Sequence, residues 1–147
     1  MKKLAILMIT ASLILATACA PKEGIEVRGA WVRTAAQGEN GAVYFVIHNY
    51  SAEDDSIIGA SSDVADNVEI HESTMNGDVM EMNMAHSVLL PSGGDVEFVP
   101  GGLHIMLVKL NQELTIGGTI ELTLHFENSA DVLVTAHIMA GPEHDDD

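Results

Sequence analysis

The stretch Leu103-His104-Ile105-Met106-Leu107-Val108-Lys109-Leu110, entered through the turn residues Pro100-Gly101-Gly102, decides the fold. Leu103, Ile105 and Leu107 recur at every second position, with His104 and Met106 between them. A period of two puts the aliphatic set on one face of a strand and the His–Met pair on the other. Working outward, short runs rich in Val, Ile, Thr and Leu recur over Ile25 to Arg33, Ala42 to His48, Val68 to His71, Val96 to Val99, Thr119 to Phe126 and Val132 to Met139. Gly, Asn, Asp, Ser and Pro fill the gaps, as in Asn76-Gly77-Asp78 and Pro91-Ser92-Gly93-Gly94. This spacing predicts an all-β, antiparallel sandwich or barrel in a single domain over residues 25–140. No stretch has an amphipathic helical period, although Asp63 to Asn67 has room for one helical turn. Trp31, Tyr44, Phe45 and Phe98 fall in predicted strands and are expected, for the most part, to fill the core.

The ends of the chain read differently. Lys2 and Lys3 precede an apolar run from Leu4 to Ala18 that closes on small residues, the pattern of a secretory signal over residues 1–18. Ala16-Thr17-Ala18 suits ordinary signal peptidase, and Leu15-Ala16-Thr17-Ala18-Cys19 resembles a bacterial lipobox with Ala16 where Leu is usual. Both leave Cys19 as the first mature residue, so Cys19 is the expected point of lipid attachment and the only expected link to a membrane. A tether over residues 19–24 and an acidic tail over 141–147 complete the predicted organisation. The run is too short for a span of about 20 residues, and no later stretch competes, so no retained transmembrane helix is expected.

Charge and cysteine count narrow the function. The 147 residues carry 6 Lys and Arg against 22 Asp and Glu, a net charge of −16. Such a surface argues against a nucleic-acid partner and for a solubilising acidic coat. Cys19 is the only cysteine. Blue-copper, iron–sulfur and Cys-ligated zinc sites, and Cys nucleophiles, all need a thiolate that the domain lacks.

Methionine and histidine are unevenly placed. Met75, Met80, Met82 and Met84 lie between His71 and His86, and His104 and Met106 follow in a later strand. His104 and Met106, two apart in a strand, present an imidazole and a thioether side by side. The segment 79–84 can return to the same edge after Asn76-Gly77, and His71 precedes that turn, so His71, Met82, His104 and Met106 are expected to converge at one end of the sandwich. Soft, uncharged thioethers with borderline imidazoles favour Cu(I), whereas zinc favours thiolate or carboxylate beside imidazole and calcium or magnesium favour oxygen. Taken singly, each methionine is more often an adaptable core filler and each histidine a hydrogen-bonded one. Met80 and Met84 share strand parity with Met82, and Met75 and His86 are reserve candidates. His48, His125 and His137 are expected to be structural. No nucleophile–base pairing stands out, so no enzyme is expected.

The spacing His71, ten residues, Met82, twenty-one residues, His104, one residue, Met106 resembles the metal motif of the periplasmic copper chaperones of the PCuA(C) type. Gly29-Ala30-Trp31-Val32-Arg33, Gly41-Ala42-Val43-Tyr44-Phe45 with Asn49, Val68-Glu69-Ile70-His71-Glu72, Val79-Met80-Glu81-Met82 and Pro100 to Leu107 resemble that family too, in order over residues 25–140. The resemblance implies a cupredoxin-like Greek-key β-sandwich and one Cu(I) per chain held by two Met and two His. It also implies delivery toward the CuA centre of cytochrome c oxidase, with a copper-accepting oxidase subunit or a Sco-like protein as partner. Met84, His86 and the short acidic tail depart from the family pattern and leave the four-ligand set intact. The rival readings are an electron-transfer cupredoxin, which needs the missing Cys ligand, a copper store using the same residues, and an Ig-like interaction module with an incidental Met and His cluster.

Overall fold

A computed structural model describes residues 22–141. The predicted signal peptide, Cys19, most of the predicted tether and the tail beyond Gly141 lie outside the described residues. Ten strands follow one another: β1 Ile25–Arg33, β2 Gly41–Asn49, β3 Asp55–Ser61, β4 Ala65–Asn76, β5 Val79–Met84, β6 Val88–Leu90, β7 Asp95–Phe98, β8 Leu103–Leu110, β9 Thr119–Phe126 and β10 Val132–Met139. Among the described residues there is no helix, and hence none long and apolar enough to cross a membrane.

All ten strands join one hydrogen-bonded sheet in the order β5-β4-β8-β7-β2-β1-β10-β9-β3-β6, with β8 also pairing β2. Pairing is antiparallel except for β1 with β10 and the single β7–β8 step. The sheet folds over on itself, since β3 and β4 touch although six strands separate them in the pairing order. Its inner faces close on one core that includes Val43, Phe45, Ile105, Leu107, Leu122 and Leu124. This is the cupredoxin-like β-sandwich expected from the sequence. Alternation explains why the strands form it. β2 buries every odd residue from Gly41 to Asn49 while the residues between stay half-buried, so one face enters the core and the other is left for a site.

Four details refine the expectation. The predicted helical turn is instead a turn at Asp63-Val64, and Ala65 to Asn67 already belong to β4. β3 and β6 were not predicted. β3 opens on a buried Asp55, and β6 has only three residues, so neither offers a long enough alternation. Of the four aromatics, Phe45 and Phe98 are buried and stacked at 4.4 Å, but Trp31 and Tyr44 lie half-buried on the outer face, 4.7 Å apart.

Two buried polar side chains brace the loops. The fully buried Asn49 donates from Nδ2 to the carbonyls of Glu53 and Leu90, and its Oδ1 accepts from Ser51. The Asp55 carboxylate accepts backbone N–H groups of Ser56, Asn128 and Ser129 at 2.7–3.0 Å, fastening the loop after β9 to the start of β3. Burial pushes the Asp55 pKa up, but the hydrogen bonds from Ser129, Ser56 and Asn128 together outweigh it, so the carboxyl titrates below its usual range.

Candidate metal centre

β5, β4, β8 and β2 lie side by side, and their outward side chains build the candidate site row by row. His71 on β4 is the register partner of His104 on β8 and of Met84 on β5. Direct cross-strand partners project to the same face, so the three form one row. The core partners Ile70 and Ile105, one residue along each strand, project the other way. In the next row Met106 stands opposite Glu69 on one side and Ala42 on the other. In the row on the far side, Met82 is paired with Ser73. The structure thus brings His71 and His104 into adjacency, sets Met106 beside them on the same face, and places Met82 diagonally across from His71. Met84, rather than Met82, directly faces His71. His86 is exposed beyond the end of β5.

The two imidazoles have well-defined roles. His104 Nδ1 lies 3.0 Å from the Gly102 carbonyl oxygen, which can only accept, so Nδ1 carries the proton and the Nε2 lone pair is left free. His71 Nε2 lies 2.8 Å from Glu69 Oε2, and the other Glu69 oxygen is held by Asn67 Nδ2 at 2.6 Å. That contact assigns the proton of His71 to Nε2 and leaves Nδ1 as the donor lone pair. His71 Nδ1 is buried and has no hydrogen-bond partner. An orphaned buried polar atom costs roughly 1–3 kcal/mol, and a metal ion at Nδ1 would recover it. The ring centroids are 5.8 Å apart at 60°. A metal–nitrogen bond of about 2 Å puts each centroid roughly 3.2 Å from a shared ion, a span that accommodates this separation.

The surroundings fit a soft ion. His104 is 3% exposed, whereas Met82 is 50% exposed, so one side of the donor set is sheltered and the other is open. Tyr44 stands 6.3 Å from His104 and packs at a tilt against Trp31, giving the sheltered side an aromatic wall. Burial pushes the Tyr44 phenol above its usual pKa, with Arg33 opposing, so it stays protonated and adds no competing anionic oxygen. Among the described residues no group of three or more His, Cys, Asp or Glu is arranged to hold a metal. A surface groove of about 400 Å³ is lined by Thr34, Leu114 and Ile116 and by none of the four candidate donors.

Sequence reasoning missed two features. Glu69, the partner that orients His71, sits two residues before it on the same face, and strand parity alone could have found it. The second is an exposed hydrogen-bonded line in which Ser61 Oγ lies 3.0 Å from His125 Nε2 and His125 Nδ1 lies 2.9 Å from Asp131. A nucleophile–base pairing is therefore present in geometry, contrary to expectation. Its Asp131 is 58% exposed, so water screens the charge that would activate such a line. His48 is likewise engaged on the surface, with Asp95 at 2.8 Å.

Fold and face together define a cupredoxin-like β-sandwich of the PCuAC type. The copper-bound PCuAC domain from PmoF2 matches with a TM-score of 0.68 and 26% identity, covering 80% of this chain and 93% of that one. The Cu(I) form of DR1885 from Deinococcus radiodurans shares the fold with a TM-score of 0.60 and 24% identity, covering 80% of each chain. Residues 25–138 match the family described as "Putative lipoprotein LpqE-like", and the chain belongs to that family. A curated relative, "Putative lipoprotein Lxx21020" of Leifsonia xyli subsp. xyli, is 31% identical over 109 residues, which cover 74% of this chain and 65% of the relative. The chain therefore spans a little under two thirds of that relative's length. The resemblance to PCuA(C) domains read from the sequence is borne out.

Proposed function

We propose that this protein is an exported copper carrier that holds one Cu(I) between His71, His104, Met82 and Met106 and passes it to a copper-accepting partner. The observation that carries the reading is the orphaned Nδ1 of His71 beside an imidazole whose own Nδ1 proton is committed to a backbone carbonyl, with thioethers in the flanking rows. The copper-bound state of the PmoF2 domain supports the choice of metal. Donor softness supports the monovalent ion, because neutral sulfur stabilises Cu(I) over harder divalent ions. Thioethers need no deprotonation and form no disulfides, which suits an oxidising compartment.

Release follows from the same chemistry. Met82 is half exposed and unanchored, so it is the first ligand to be exchanged, and an incoming thiolate outcompetes it because anionic sulfur binds Cu(I) more strongly. The partner is accordingly a thiolate-bearing acceptor, such as a CuA-type oxidase subunit or a Sco-like protein. Export and lipid attachment at Cys19 would place the carrier at a membrane surface outside the cytoplasm. The protein acts by binding and transfer rather than by catalysis.

An anaerobic Cu(I) competition titration coupled to X-ray absorption tests the reading. One tight equivalent with two sulfur and two nitrogen neighbours is expected, and Met82→Ala with Met106→Ala should remove the sulfur neighbours of that equivalent while the chain stays folded. A copper site without sulfur neighbours would overturn the assignment. Transfer to an apo CuA domain separates delivery from storage, since a store retains its ion when such an acceptor is added.

A further inference from the structure

The β4–β5 hairpin carries more thioethers than the inner donor set uses. Asn76 pairs with Val79 across a two-residue turn in which Gly77 has a φ of 65°, the pattern of a type II′ turn. This register sets Met75 opposite Met80, Ser73 opposite Met82 and His71 opposite Met84. Strand alternation puts all six on the face that carries His104. Met75, Met80, Met82 and Met84 are 62%, 60%, 50% and 54% exposed. The opposite face of the hairpin carries Glu72, Thr74, Glu81 and Asn83. Packing does not account for the methionines, because every residue of β5 is exposed. Segregating soft donors on one face and hard oxygen groups on the other is what a path for a soft cation requires.

We propose that Met75 and Met80 form an outer thioether site at the hairpin tip that captures a soft monovalent cation, Cu(I) or Ag(I), and relays it past Met82 and Met84 to the His71–His104 centre. The destination rests on the function proposed above; the outer site does not. Directly opposed residues have Cβ atoms about 4.5–5.5 Å apart. Methionine has three rotatable bonds, so two such sulfurs can close on one ion at about 2.3 Å each. Successive same-face positions along a strand are about 6.8 Å apart, within the sweep of two methionine side chains. Each step is a ligand exchange in which one thioether bonds to the ion as another leaves, with no change in oxidation state. Two neutral donors hold the ion less tightly than the inner four, so transfer runs inward.

The test uses the full chain with ¹³C-methyl-labelled methionine, titrated anaerobically with Ag(I) and separately with Cu(I). The first equivalent should shift the Met82 and Met106 methyls, and a second, weaker equivalent should shift those of Met75 and Met80 together. In Met75→Leu/Met80→Leu, which keeps apolar bulk, the second equivalent should be lost. The first should bind within about twofold of the unmodified affinity, and inner-site loading from dilute ion should slow at least threefold. Absence of second-equivalent shifts at Met75 and Met80, or loading of the double variant at the unmodified rate, overturns the outer site. The chain with His71→Ala and His104→Ala separates the two readings. Shifts that persist at Met75 and Met80 there keep the outer site, even if the inner donors prove not to hold copper.

Discussion

Replacing Glu69 by alanine removes the carboxylate that fixes the His71 ring while leaving every candidate metal donor in place. The contact is 2.8 Å long, and the two side chains are 23% and 17% exposed, so solvent screens it only in part. A hydrogen bond to a charged group in such a setting is worth about 1.5–3 kcal/mol. Losing an outer partner of a metal-bound histidine lowers metal affinity by about 10- to 100-fold, or roughly 1.4–2.7 kcal/mol, and the two estimates agree. Cu(I) affinity should therefore fall by that factor in Glu69→Ala. The fall should be smaller in Glu69→Gln, whose amide oxygen still accepts from Nε2. Asn67, which holds the second carboxylate oxygen, should give a lesser loss when changed to alanine. Competition against a chromophoric Cu(I) chelator measures the affinities, and thermal unfolding of the apo chains checks that the sheet is intact. An affinity within about twofold of the unmodified chain in a folded Glu69→Ala would refute the idea that this carboxylate sets the donor nitrogen.

Three further outcomes follow from the rest of the molecule. Asp55→Asn should destabilise the fold by about 2 kcal/mol at neutral pH, because three N–H groups lose a charged acceptor. The Asp55 pKa is lowered in the folded state, so its contribution is whole above the ordinary carboxyl pKa of about 3.9 and drains away as pH falls through the lower folded value. Urea unfolding should thus show the stability gap between the two chains narrowing as pH falls below the ordinary carboxyl range. Leu122→Ala, at a fully buried core position far from the metal face, should cost about 2–5 kcal/mol in the same assay while the folded chain keeps its Cu(I) affinity. Ser61→Ala should leave hydrolysis of an activated ester unchanged, since the exposed Ser61–His125–Asp131 line is not expected to catalyse; a measurable rate lost on substitution would reverse that judgement.

The β1, β8, β9 and β10 limits were legible in the sequence from their Val-, Ile-, Thr- and Leu-rich runs, and β9 and β10 also alternate cleanly because each buries one face. β5 announced itself by donor atoms rather than by alternation, since none of its residues is buried. Parity fails where the backbone breaks it. Leu110 shares parity with His104, yet it is 1% exposed in the core, because Lys109 adopts a φ of 55° and turns the strand before its last residue. The candidate donors were readable as a set from their spacing; strand parity put His104 and Met106 on one face, and the β4 register with β8 and β5 brings His71 and Met82 to that face. Which nitrogen of each histidine is free was not readable, because that depends on which ring nitrogen the folded chain turns toward Glu69 or the Gly102 carbonyl, each two residues before its histidine. The aromatic wall was hidden for a related reason. Tyr44 and Phe45 are neighbours in sequence and both apolar, and only the pleat decides which of them faces the core.

The Gly102 carbonyl accepts two hydrogen bonds, one from the backbone N–H of Ser73 at 3.1 Å and one from His104 Nδ1 at 3.0 Å. Both lone pairs of that oxygen are therefore spoken for, one by the methionine hairpin and one by the imidazole. The hairpin and the most deeply buried donor are yoked through a single atom. A force that peels the hairpin from β8 breaks the Ser73 bond and carries His71 away from His104, whose Nδ1–H stays on a carbonyl of its own strand, so mechanical displacement of the hairpin and separation of the two candidate imidazole donors are one event.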